Sequence, residues 1–145
     1  MAIKAREPVH KHLVIYSDGA ARGNPGPAGV GVVLKDEEGR IVKKVSQFIG
    51  HTTNNQAEYS ALIVGLEAAL ELKAESVDLL LDSQLVVNQV NGTYRVRSLD
   101  LKPFNQEALK LLQRFKSYSI NYIPRERNRE ADSLANTAID RHIPC

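Results

Sequence analysis

Residues 40–72 read RIVKKVSQFIGHTTNNQAEYSALIVGLEAALEL, and within them the spacing of apolar residues changes from that of a strand to that of a helix. Arg40 to Ile49 reads as a strand, with Ile41, Val45 and Ile49 on one face. Beyond it, Leu62, Gly65, Leu66, Ala69 and Leu72 recur at helical spacing and form one stripe. Thr53 with Gln56 three residues on is a capping box, which starts the helix near Asn54.

Toward the N-terminus the chain keeps the strand period. Leu13 to Ser17 is a short apolar run that ends at Asp18-Gly19. Asn24-Pro25-Gly26-Pro27 must turn, because two prolines and a glycine suit neither ladder nor helix. Ala28 to Leu34 reads as strand two, with Gly29 and Gly31 admitting close backbone approach, and Asp36 to Gly39 as a hairpin turn. Toward the C-terminus helices and strands alternate. Val77 to Leu81 reads as an apolar, buried parallel strand ending at Asp82. A short helix, Ser83 to Val90, and an Asn91-Gly92 turn follow. Leu101, Phe104, Ala108, Leu111 and Phe115 make a second amphipathic stripe. Ser119 to Ile123 is a fifth strand stopped by Pro124, and Asn128 caps a last helix that turns Ala131, Leu134, Ala135 and Ala138 inward. The order β-β-β-α-β-α-α-β-α predicts an α/β fold. Three antiparallel strands come first, the later strands join in parallel by crossovers, and helices flank the five-stranded mixed sheet.

The 145 residues suit one domain, expected at 13–142, with a charged, flexible arm at 1–12 and a short tail at 143–145. Hydrophobic residues are 43% and charged residues 25%, which excludes a disordered or collagen-like chain. Apolar runs do not exceed four residues, far short of the roughly 20 that a membrane span needs. The opening MAIKAREPVHKH has no apolar core of a secretory signal. The lone Cys145 has no partner in the chain, which fits a reducing compartment; a cytoplasmic monomer is expected. The net charge of +2 says little, but its distribution is uneven. Residues 57–82 carry six acids against one base, and residues 95–129 nine bases against three acids. A basic segment can offset nucleic-acid phosphates, and solvated helix faces look the same.

Four acids stand at special places. Asp18 and Asp82 end the first and fourth strands; if those strands are neighbours, the strand order reverses there, and ligands bind in such a crevice. Glu58 lies in the first turns of the long helix and Asp132 in the first turn of the last one, where the helix dipole favours anions. Four converging carboxylates would repel unless hard divalent cations relieved them. Mg²⁺ takes oxygen ligands and keeps waters for a phosphate substrate, and two such ions can drive phosphodiester cleavage. Each acid also has a plain reading, as a strand-end turn, a helix start, an N-cap at Asp82-Ser83 or a dipole partner.

Four blocks in order carry a resemblance: Tyr16-Ser-Asp18-Gly-Ala-Ala-Arg-Gly-Asn24-Pro-Gly26, Thr53-Asn-Asn-Gln-Ala-Glu58, Leu81-Asp82-Ser-Gln84 and Pro124-Arg-Glu-Arg-Asn128-Arg-Glu-Ala-Asp132-Ser-Leu-Ala. Together they resemble type 1 ribonuclease H from about Leu13 to Ile139. The resemblance implies the ribonuclease H-like fold and hydrolysis of the RNA strand of RNA–DNA hybrids by a two-metal-ion mechanism, leaving 5′-phosphate and 3′-hydroxyl ends. It implies two Mg²⁺ ions, with Mn²⁺ able to substitute. Asp18, Glu58, Asp82 and Asp132 match the family's metal-binding carboxylates. Asn24, Asn54, Asn55 and Gln84 match positions that meet the hybrid's minor groove, where amides can read 2′-hydroxyls, and Thr53 a position that contacts a DNA-strand phosphate.

Two departures stand out. Many members carry a histidine in the loop before the last acid; here the loop is Pro124 to Asn128, with Arg125, Glu126 and Arg127 as candidate substitutes or simply solvated residues. The four histidines, at 10, 12, 51 and 142, are not placed for that task. Gly92-Thr-Tyr-Arg-Val-Arg-Ser-Leu is too short for the basic helix and handle of some members, which leaves Arg95, Arg97 and Lys102 as candidate hybrid contacts. The alternatives are a related nuclease acting on double-stranded RNA or junction DNA, and a non-catalytic nucleic-acid-binding module.

Overall fold

The structure is a computed structural model that describes residues 11–142. What the sequence suggests for residues 1–10, and for the tail 143–145 with Cys145, lies outside the described residues.

The central strand β1, His12–Ala21, starts one residue before the boundary expected for the domain. It pairs antiparallel with β2, Gly26–Lys35, and parallel with β4, Ser76–Leu81. The strand β3, Ile41–Thr52, closes one edge and β5, Ser117–Tyr122, the other. The sheet order is β3-β2-β1-β4-β5, the mixed arrangement the sequence predicts. The helices are α1, Asn54–Glu71; α2, Gln84–Val90; α3, Lys102–Leu112; and α4, Arg129–His142.

Side chains alternate between the two faces of a strand, and this decides which helix covers which face. Leu13, Ile15, Val32, Leu79 and Ile120 pack with Leu62 and Leu66 of α1 and Leu112 of α3 in one core. Each fully buried leucine or isoleucine there contributes about 1.5–3 kcal/mol. Gly29 and Gly31 point to the other face, against α4. A Cβ on Gly31 would lie 2.0 Å from the Ala131 carbonyl oxygen, and one on Gly29 2.4 Å from that of Ala135. Only glycine lets the α4 backbone approach β2 this closely. The capping box holds as read: Thr53 Oγ1 accepts from Gln56 N–H at 3.2 Å, and the Gln56 side chain reaches back to Thr53 N–H.

Five local expectations are corrected. The turn read at Asn24 to Pro27 ends sooner, since Gly26 and Pro27 already pair with Thr52 and His51 of β3. The strand β1 does not stop at Asp18 but runs on to Ala21, because β2 keeps pairing with it after the ladder to β4 has ended. The run Val77 to Leu81 is not apolar throughout. Val77, Leu79 and Leu81 are buried, while Asp78 lies on the half-buried face, where it accepts from Ser119 Oγ at 2.7 Å and meets the His12 ring at 3.0 Å. The stripe Ile41, Val45, Ile49 is broken by register shifts at Ala28/Gly29 and Leu34/Lys35, and Ile41 is exposed. Finally, Asn128 occupies the position before α4, but its side chain does not cap the helix. Its amide donates to the Ser17 carbonyl at 2.9 Å and ties the α4 entrance to β1, while Leu134 is only half-buried and Ile139 supplies the buried contact instead.

Candidate active site

The last parallel pair between β1 and β4 is Ser17 with Leu81. Asp18 and Asp82 are the next residues on each strand, so the register sets the two carboxylates side by side where the ladder opens. Glu58 comes from the first turns of α1. Gly19 makes this possible, since a Cβ there would sit 2.1 Å from the Ala57 carbonyl group. With the helix that close, Gly19 N–H donates to Glu58 Oε1 at 2.7 Å and fixes the carboxylate over β1. Asp132 is brought in by the α4–β2 contact at Gly31 and Ala131.

Asp18, Glu58 and Asp82 each offer a carboxylate oxygen, all within 4.8 Å of one another. Asp132 stands outside that set but lines the same cavity, of about 490 Å³, together with Arg22, Asn54, Ser83, Arg125 and Asn136. Asp18 is 6% exposed and Glu58 9%. Burial raises the Asp18 carboxyl far above the ordinary carboxylate range, and the Glu58, Asp82 and Asp132 carboxyls beside it raise it further. Burial also raises Glu58; its hydrogen bonds to Asp18 and Gly19 N–H oppose the rise, and Asp82 and Asp132 add to it. Without a cation, the pair keeps a proton that isolated carboxyls would have lost at neutral pH. The donor set is all carboxylate oxygen, which suits Mg²⁺ or Mn²⁺ rather than zinc, and such an ion would relieve the repulsion.

The other expected residues divide into two groups. Asn24 Oδ1 accepts from Asn54 N–H at 3.0 Å, and Asn54 Oδ1 from Ala21 N–H at 3.1 Å, so the β1–β2 loop and the start of α1 are stapled beside the acids. Thr53 caps α1, Asn55 is exposed in its first turn, and Gln84 is exposed at the start of α2. Arg125 enters the site, its guanidinium 3.9 Å from the Asp132 carboxylate. Arg127 does not; it lines a separate hollow of about 100 Å³ with Tyr16, Lys35 and Asn128. Arg95, Arg97 and Lys102 are exposed and do not line the carboxylate cavity. Sequence reasoning missed Arg22, Ser83 and Asn136. Asn136 carries a signal, lying four residues after Asp132 and so on the same helix face; Arg22 carries none.

A family model described as reverse transcriptase-like matches residues 16–138. A ribonuclease HI of Halobacterium salinarum is 48% identical over 125 residues, 86% of this chain and 63% of the relative. A bifunctional protein of Mycobacterium tuberculosis is 43% identical over 129 residues, 88% of this chain and 35% of its own length. The chain thus spans less than two thirds of either relative. Among solved structures, RNase H1 of Halobacterium salinarum superposes with a TM-score of 0.88 at 46% identity, covering 90% of this chain and 98% of that one. LC11-RNase H1 in complex with an RNA/DNA hybrid gives 0.86 at 42% identity, covering 91% and 99%.

Proposed function

The chain belongs to the type 1 ribonuclease H family, and from that premise we propose that it is an endoribonuclease that hydrolyses the RNA strand of RNA–DNA hybrids, leaving 5′-phosphate and 3′-hydroxyl ends. The observation that carries the reading is the meeting of Asp18, Glu58 and Asp82, from β1, α1 and the end of β4, with their oxygens within 4.8 Å. A pocket with that charge repels phosphate on its own, so it suits a nucleic-acid substrate only as a metal-binding site.

Asp18, Glu58, Asp82 and Asp132 would hold two Mg²⁺ ions, or Mn²⁺ in their place. Such ions supply the nucleophilic water and offset charge on the scissile phosphate. The chain's own residues do the rest. Gly19 N–H holds Glu58 in place, which spares a reorganisation when substrate arrives. Asn24 and Asn54 have their oxygens tied to backbone N–H groups, which leaves their NH₂ groups to donate to 2′-hydroxyls. Exposed Asn55 and Gln84 follow the cavity-lining Asn54 and Ser83 in the chain and would meet the same hybrid, and Thr53, whose hydroxyl caps α1, would also contact a DNA-strand phosphate. Arg125 supplies positive charge at the Asp132 side of the pocket. No described helix is long and apolar enough to cross a membrane; a monomer working in the cytoplasm completes the proposal.

The test is cleavage of labelled RNA annealed to DNA, beside duplex RNA and junction DNA of the same length, with Mg²⁺ and with chelator. Internal, Mg²⁺-dependent cutting of the hybrid alone is expected. Preferential cutting of duplex RNA or junction DNA would replace this substrate assignment, and no cutting of any would overturn the nuclease reading.

A further inference from the structure

Asp132 is the acid that stands apart, and its placement has a visible cause. Asn136, one turn later on α4, donates from Nδ2 to Asp132 Oδ1 at 3.2 Å and to the Asp132 carbonyl at 3.0 Å. The other end of the same amide is used too, since Arg22 donates to Asn136 Oδ1 at 3.3 Å and to its carbonyl at 3.4 Å. Arg22 in turn pairs with Asp140, a further turn along α4, at 2.6 Å. Residues 132, 136 and 140 share one face of the helix, and Arg22 reaches across them from the end of β1. The polarity is consistent along the line. An amide is a side chain that can accept from a guanidinium at one end and donate to a carboxylate at the other.

We propose that Arg22 and Asn136 are positioning residues that orient the Asp132 carboxylate for the divalent cation. The inference rests on the metal-dependent reading of the site given above. Arg125 also approaches Asp132 Oδ1, but at 3.9 Å from a side chain that is 81% exposed, a contact of the kind that holds a geometry poorly. Asn136 is therefore the group that sets the rotamer. Arg22 acts through it, keeping the amide from turning its oxygen toward the carboxylate. Partners of this second rank typically change metal affinity by about 10–100-fold when removed.

The experiment uses wild type, Asn136→Ala, Arg22→Ala and the double variant, with Mn²⁺ binding read by calorimetry in the absence of nucleic acid. Half-saturating Mg²⁺ and hybrid KM are read in cleavage. Asn136→Ala is expected to weaken Mn²⁺ affinity and raise the Mg²⁺ requirement about 10-fold, with hybrid KM unmoved. Arg22→Ala is expected to do the same to a smaller degree, and the double variant to be no worse than Asn136→Ala. Unchanged Mn²⁺ affinity in Asn136→Ala overturns the inference. So does full additivity in the double variant, or an Arg22→Ala effect confined to hybrid KM, which would make Arg22 a direct grip on nucleic acid. A wild type that binds Mn²⁺ but cuts no hybrid defeats the proposed function and leaves this inference to calorimetry.

Discussion

Glu58 and Tyr59 are neighbours on α1, 9% and 0% exposed, and each belongs to a buried polar cluster; the two clusters are opposite in kind. Tyr59 donates its hydroxyl proton to Gln89 Oε1 at 2.7 Å and accepts from Asn105 Nδ2 at 3.1 Å. All three groups are neutral and matched donor to acceptor, and they lock α1 to α2 and α3. Glu58 meets Asp18 and Asp82, carboxyls that can satisfy one another only by keeping a proton. The first cluster is what a folded chain needs of buried polar groups. The second is a local conflict that costs stability, the kind of exception to consistent design found at functional sites. Two adjacent residues thus divide stability from function.

Breaking the conflicted side has the largest effect. Asp18→Asn should abolish hybrid cleavage while raising the stability of the metal-free protein at pH 8 by about 1–3 kcal/mol, since it replaces a carboxyl that must take up a proton to stay buried at that pH. Denaturant unfolding in chelator reads the second effect. Gly19→Ala comes next, because its Cβ would meet Ala57 at 2.1 Å. The helix must retreat, at about 1–3 kcal/mol or more, and Glu58 leaves its N–H partner; lower Tm together with weakened metal binding is expected. On the matched side, Tyr59→Phe strands Gln89 and Asn105 and should lower stability by about 1–3 kcal/mol, with half-saturating Mg²⁺ unchanged.

The pH dependence sharpens the same contrast. Asp18 and Glu58 hold protons more tightly folded than unfolded. Their contribution to metal-free stability should therefore be fully present below the ordinary carboxyl range near pH 4 and be lost as pH rises through it toward the raised values. Saturating Mg²⁺ should remove that slope, and Tyr59→Phe should leave it intact. The smallest effect is outside both clusters. Lys116→Ala removes an exposed pair with Glu75 and should change stability by less than about 0.5 kcal/mol by urea unfolding.

Much of this was legible in the chain because it is local or periodic. The capping box at Thr53 and Gln56 set the start of α1, and with it the place of Glu58. Gly29 and Gly31 marked where a helix backbone would press on a strand. The order of elements leaves the pairing of β1 with β4 as a condition; the sheet order meets it and sets Asp18 beside Asp82. What stayed hidden depends on partners far along the sequence. The continuation of β1 past Asp18 is imposed by β2, and the turn of Ile41 off its stripe by register shifts that no spacing records. Asn128 looked like a cap because its neighbours are helical, yet its amide is taken by Ser17, 111 residues away. Asn136 is marked in the sequence only by standing four residues after Asp132, and Arg22 by nothing, because its partners Asn136 and Asp140 lie more than 110 residues away.

The account stands on one claim, that mutual repulsion among Asp18, Glu58 and Asp82 is relieved by a divalent cation. Thermal unfolding at pH 8, with chelator and with saturating Mg²⁺, tests it in wild type and Asp18→Asn. The expected result is a Tm that rises with Mg²⁺ in wild type, and an Asp18→Asn protein that starts higher in chelator and scarcely responds. A wild-type Tm indifferent to Mg²⁺, or an Asp18→Asn protein less stable than wild type in chelator, would contradict it.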